Sequence, residues 1–480
     1  MRGNSFIEKA TILAGLAGNV DAFWRLPCRG RTAVARIDPL VNYNSVGLHA
    51  HSTHGSGGLG IKSGYDELMA SNCTSCSVTQ DKSAYWTPSI YFKNAATGKF
   101  QLVEQVGGML AYYLLYGDNI KAFPKGFSMI AGDNEQRNFS YPVPDVDKSS
   151  WNQAPYNTQS FLKQVALGFN CLNYGAPPEP SLYRHSLPNK AYLDAHCADG
   201  VRFEIMFPSC WNEAAGVSSP DSKAHVAYPS LVMGGDCPKG FDTRLPSLFY
   251  ETIWNTAAFK GVDGDFFVSN GDPTGCGYHA DFVTGWKPDF LQSAIDTCTN
   301  LSGKIEDCPL FQIQDESGWG TCKLDIPEEL RNEDVTGPMD ALPGNNPIQA
   351  GPERAVKHGA GAAANDQKPA TDASGASPAP AAQGGVFAAV ADKKPDPTKP
   401  ENAAITAPPA AAELAAAQDD DKKGYYSKSV QTTTKCNDGD EVIEIDETFW
   451  VEDTVMVNGA ARKRHVHKHG KGKRGVHGHY

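Results

Sequence analysis

The stretch Arg202-Phe203-Glu204-Ile205-Met206-Phe207 sets charged residues between apolar ones. Alternation with period two puts Phe203 and Ile205 on one face of an extended strand, with Arg202 and Glu204 on the other. Similar short runs recur at Ser89-Ile90-Tyr91-Phe92, from Met109 to Tyr116 and from Leu248 to Trp254, parted by clusters of Gly, Pro, Asn and Asp. Helical spacing is rare. Asp289 to Asn300, with Phe290, Ala294, Ile295 and Cys298, is its best example. The pattern predicts a β-rich fold, a single large β-sandwich-like domain with long loops.

Composition divides the 480 residues. Aromatics, Gly and Pro are dense from Phe23 to about Asp334, which sets the expected domain at 23–334. Over 335–423 Ala, Pro, Gly, Asp and Lys take over, and Phe387 is the one aromatic. Such a stretch buries too little apolar surface to offset chain entropy, and reads as a disordered linker. Residues 424–458 regain Val442, Ile443, Ile445, Phe449, Trp450 and Val451, enough for a short acidic β-hairpin too small to fold alone. Residues 459–480 form a basic tail with Arg462-Lys463-Arg464 and five histidines. It reads as a solvated tail, the alternative being a metal- or polyanion-binding tract.

At the other end, Arg2, the apolar run Ala10 to Gly18 and Val20-Asp21-Ala22 predict a secretory signal over 1–22. No apolar run reaches the roughly 18 residues needed to span a bilayer. The net charge of −12 excludes general nucleic-acid binding. Twelve cysteines, eleven of them before residue 330, are scattered rather than grouped as zinc knuckles. Structural disulfides are expected, with one thiol of the main domain left free or paired with Cys436. Asn72, Asn138 and Asn300 open glycosylation sequons. All of this points to an extracellular or cell-wall location.

Chemistry concentrates in three places. In Leu48-His49-Ala50-His51-Ser52-Thr53-His54, a strand would present His49 and His51 on one face. That geometry suits a shared divalent metal such as Zn or Cu, metal-free acid/base or substrate contacts, or plain structural histidines. Tyr278-His279-Ala280-Asp281 combines three proton-transfer side chains, and an extended backbone puts His279 and Asp281 on one face. Near Glu204, the residues Trp211, Asp221, His225 and Tyr228 form a third group. Tyr85, Trp86, Trp211 and Trp286, if exposed, would suit stacking on sugar rings. No Gly-x-Ser-x-Gly elbow, His-Glu-x-x-His motif or P-loop is present.

Several of these residues also carry a resemblance. Phe23-Trp24-Arg25-Leu26-Pro27-Cys28-Arg29-Gly30, Ala35-Arg36-Ile37-Asp38-Pro39, His49-x-His51, Cys73-Thr74-Ser75-Cys76, Phe207-Pro208-Ser209-Cys210-Trp211, His225-Val226-Ala227-Tyr228-Pro229 and His279-Ala280-Asp281-Phe282 together resemble a secreted fungal domain of unknown function, number nineteen-ninety-six. The resemblance runs from about Phe23 to Cys322. Members joined to wall-sugar-binding modules imply polysaccharide as the working environment. This chain departs from the family pattern at Phe241 and Asp242, where His-Pro stands, at Cys276 in place of Tyr, and at Thr284 in place of Asn. The first departure bears on activity, and Cys276 becomes the natural odd thiol.

The functional expectation is a secreted carbohydrate-active protein, a hydrolase or lyase on cell-wall polysaccharide. His49, His51, Tyr278, His279 and Asp281 would be its catalytic set, the first two also metal ligands. Tyr85, Trp86, Trp211, His225 and Tyr228 would contact substrate. The alternative is a non-catalytic extracellular wall protein that binds glycan or metal.

Overall fold

The structure, a computed structural model, describes residues 22–356 and, as backbone, strands within 426–465. Residues 1–21 of the expected secretory signal, most of the linker and the end of the basic tail lie outside the described residues.

Two five-stranded sheets form the domain, and every ladder in them is antiparallel. In the first, the strands run in the order Ala22–Cys28, Gln105–Leu115, Ser247–Trp254, Val201–Met206, Leu167–Cys171. In the second the order is Ala33–Ala35, His51–Gly55, Ala84–Pro88, His279–Val283, Ser128–Gly132. One apolar core joins them, with Leu26, Tyr113, Phe203, Ile205 and Tyr250 from the first sheet and Tyr85, Met129, Ala280 and Phe282 from the second. This is the expected sandwich, and its cause is the alternation read in the sequence. Two smaller three-stranded sheets flank it. The anticipated helix is Pro288–Thr297, which buries Leu291, Ala294 and Ile295.

Because side chains alternate, the second sheet has two different faces. Ala280 and Phe282 point into the sandwich, while Val283 joins an outer cluster with Ala35, Ile37, Ala84 and Trp86. Cross-strand partners share a face. Asp281 pairs with Trp86, and Trp86 with Thr53, so Asp281 is outward, as are His279 and His51. His54 is of opposite parity and turns inward.

Among the described residues five disulfides tie the loops: Cys28–Cys76, Cys73–Cys322, Cys171–Cys197, Cys210–Cys237 and Cys298–Cys308. The Cys73-x-x-Cys76 pair is thus split between two bridges. Cys276 is free and buried.

The expected domain end at 334 falls too early. Met339 exchanges backbone hydrogen bonds with Phe100, Tyr91 donates its hydroxyl to the Val335 carbonyl, and Leu342 is buried. The chain therefore stays on the fold through residue 356. Further along the chain, Tyr426–Asn437 pairs with the first part of Asp440–Val457. The rest of that strand pairs with Ala460–His465, so the basic tail begins with a strand rather than at 459.

Candidate metal centre

His51 opens its strand, and His49 lies two residues earlier in the loop that crosses the outer face of the second sheet. His279 opens the strand His279–Val283, opposite Gly132. A Cβ at residue 132 would come within 2.6 Å of the Tyr278 carbonyl oxygen, at a φ of 80°, so glycine is what lets the two strands close here. His279 thereby meets two imidazoles that lie some 230 residues earlier in the sequence. Nε2 of His49 is 3.2 Å from Nε2 of His279, and Nε2 of His51 is 3.5 Å from the same atom. The rings of His49 and His51 have their centres 4.3 Å apart. A carboxylate oxygen of Asp281 stands 3.9 Å from Nε2 of His279.

Those spacings suit one ion. Bonds of about 2.0–2.1 Å to a tetrahedral Zn²⁺ place its nitrogen ligands about 3.3–3.4 Å apart. The protonation pattern suits it as well. Nδ1 of His279 lies 3.1 Å from the Gly277 carbonyl, which can only accept, so Nδ1 carries the proton and Nε2 offers its lone pair. Burial holds His49 and His51 well below the ordinary imidazole value, the neighbouring rings adding to the effect. It brings His279 down to about 4, against the Gly277 carbonyl. All three rings are neutral at neutral pH, the form that a metal ligand requires.

Asp281 is fully buried, and neither carboxylate oxygen has a hydrogen-bond partner. Burial raises its pKa well above the carboxylate range, the nearby Asp38 raises it further, and Lys223 opposes both. Asp38 is itself raised to about 6 by burial. A buried carboxylate without a donor is costly unless a cation joins it. Asp38 and Lys223 escaped the sequence reading. Asp38 lies within the run Ile37-Asp38-Pro39, but nothing in the sequence says that it faces Asp281.

The other expected site residues lie elsewhere. Tyr278, of opposite parity to His279, is buried among Phe169 and Phe203, its hydroxyl 3.3 Å from that of Thr252. His225 spans Ser219 and the Ser128 carbonyl, and Ser128 pairs with Val283 at the far end of the strand. Tyr228 is buried and donates to the Met206 carbonyl. Asp221 accepts from the Ser219 hydroxyl and two backbone amides. Glu204 is buried beneath Asn170, Arg202 and the Leu182 amide, and burial raises it to about 8.

The aromatics expected to face sugars do not. Tyr85 and Trp86 have no exposed surface and Trp211 has 9%. Tyr85 points into the sandwich, where its hydroxyl links Asp81 and Tyr113 at 2.5 and 2.7 Å. Trp86 packs in the outer apolar cluster, Trp211 bonds the Gly216 carbonyl, and Trp286 bonds Tyr113. Large rings fill the sandwich because they bury the most apolar area.

A family model described as a domain of unknown function, DUF1996, matches residues 38–286. The chain belongs to this family. No curated protein and no solved structure matches it. All four outer-face groups, His49, His51, His279 and Asp281, fall inside the matched DUF1996 segment.

Proposed function

We propose that this chain is an extracellular metal-binding domain, in which His49, His51 and His279 hold one divalent ion of the Zn or Cu class. The observation that carries this reading is that the buried Nε2 atoms of His49 and His51 stand 3.2 and 3.5 Å from Nε2 of His279. Asp281 either completes the coordination or takes a hydrogen bond from a metal-bound water. Imidazole nitrogen with one carboxylate is borderline to soft chemistry, favouring Zn or Cu over Mg or Ca. The extracellular setting is supported by five disulfides and by Asn72, Asn138 and Asn300, all exposed for glycosylation.

Hydrolysis or elimination on a wall polysaccharide asks for more, namely a groove and sugar-facing aromatics. Burial of Tyr85, Trp86 and Trp211 removes the ring contacts that reading relied on, so binding is the function the geometry favours.

The test is a titration of the purified, chelator-treated chain with Zn²⁺ and Cu²⁺, followed by elemental analysis. One equivalent is expected in the natural chain and none in His51→Ala/His279→Ala. Retention of the ion by that double variant, or no uptake by a folded natural chain, would overturn the assignment. Incubating the loaded protein with wall glycan then tests for depolymerisation directly.

A further inference from the structure

The segment that composition assigns to a linker crosses the surroundings of the three-histidine site. Asn346 donates through Nδ2 to the Leu48 carbonyl at 2.8 Å, one residue before His49. Gly344, at a φ of 78°, sits so close that a Cβ would come within 2.2 Å of the same carbonyl. Further along, the Gln349 amide donates to Gly271 at 3.0 Å, and Arg137 Nε donates to the Gln349 carbonyl at 2.9 Å. Arg137 is one of the cations that depress His49 and His279. Arg354 then grips Asp133 with both terminal nitrogens, at 3.0 and 2.9 Å, and reaches Glu135 at 3.1 Å. Asp133 follows Gly132, the strand partner of His279. The anchors at Leu48 and Asp133 are thus each one residue from His49 or from the strand partner of His279.

The hold is polar. After Leu342 and Pro343 no residue of the segment is buried, and Ile348 and Val356 are 38% and 70% exposed. Segments held by a few exposed hydrogen bonds and ion pairs open far more readily than the core beneath them. Meanwhile His49 and His279 keep 5% and 4% of their surface, just under the outer face.

We propose that residues 343–356 are a latch over the three-histidine site, and that a divalent cation enters and leaves when this latch lifts. The inference rests on the metal-binding reading for its ligand, but the anchoring of this segment beside the histidines stands apart from it.

The experiment uses the full chain and the variant Asn346→Ala/Arg354→Ala, with two readouts. In metal-free protein, acylation of individual histidines by diethyl pyrocarbonate is followed by mass spectrometry. His49 and His279 should react about fivefold to thirtyfold faster in the variant, as expected for losing one hydrogen bond and one forked ion pair. His185 and His225, buried elsewhere, serve as controls and should not change. In Zn²⁺-loaded protein, loss of the ion to excess chelator should accelerate by a similar factor. Unchanged acylation of His49 and His279, or equal acceleration at His185 and His225, overturns the latch. Faster acylation in a chain that takes up no Zn²⁺ upholds the latch and refutes the metal reading instead.

Discussion

Replacing Asp281 with Asn should move stability and metal affinity in opposite directions. In the metal-free fold the carboxylate is fully buried with both oxygens unpartnered and Asp38 nearby. Its folded pKa is raised, so the fold retains a proton that the unfolded chain releases. Its contribution is therefore intact below the unfolded carboxylate value of about 4 and is lost as pH rises above it. Asn keeps the shape without that loss. Each pH unit above the unfolded value, up to the raised folded one, costs the natural chain about 1.4 kcal/mol, so the variant should gain on the order of one to a few kcal/mol at pH 8 relative to its position at pH 4. With metal present the sign reverses, because the ion loses an anionic neighbour. Substitutions at such supporting groups typically cost 10–100-fold in affinity, by order of magnitude. Urea unfolding in chelator at both pH values gives the first quantity, and competition with a zinc indicator gives the second. An Asp281→Asn variant that is less stable without metal, yet binds Zn²⁺ like the natural chain, would show that Asp281 is a structural acceptor and refute the reasoning.

Three further outcomes follow from the same geometry. Tyr85→Phe removes the hydroxyl between Asp81 and Tyr113 and should cost about 1–3 kcal/mol in urea unfolding while leaving metal uptake unchanged. Loss of glycan retention by that variant with its stability intact would restore the sugar-contact role. His54, fully buried beside Gln105, is pushed down to about 3, chiefly by burial. Stability should therefore fall by about 1.4 kcal/mol per pH unit on this account as pH drops below about 6.5, a slope that His54→Leu should lack. Cys73→Ser/Cys322→Ser opens a bridge spanning 249 residues and should lower stability by about 2–5 kcal/mol, measured by denaturation under non-reducing conditions.

Much of the sandwich was legible because its strands alternate between the shared apolar core and a second, different environment. Phe203 and Ile205 against Arg202 and Glu204 announce a strand with two environments, and the structure keeps that division. The same rule placed His279 and Asp281 together. What alternation cannot give is which strands become neighbours, and the meeting of His49, His51 and His279 depends on sheet order set by the whole core. Disulfide partners are hidden for the same reason, since spacing does not say that Cys73 and Cys76 part company. The aromatics misled because a ring that would stack on sugar and a ring that fills a sandwich are the same residue. Residues 343–356 misled in the opposite way, because a segment held by Asn346, Gln349 and Arg354 needs no apolar pattern to stay in place.

The strand His279–Val283 also ties two tasks to one reading frame. Ala280 and Phe282 anchor the sandwich, while His279 and Asp281 furnish an imidazole and a carboxylate on the other side. Substitutions can accumulate on either side without disturbing the other. An inserted residue cannot be so confined, because it exchanges the inward and outward sets from that point on. It would set Phe282 among the histidines and send charge toward the apolar interior. Drift by replacement is therefore open to this strand, whereas change in its length is closed.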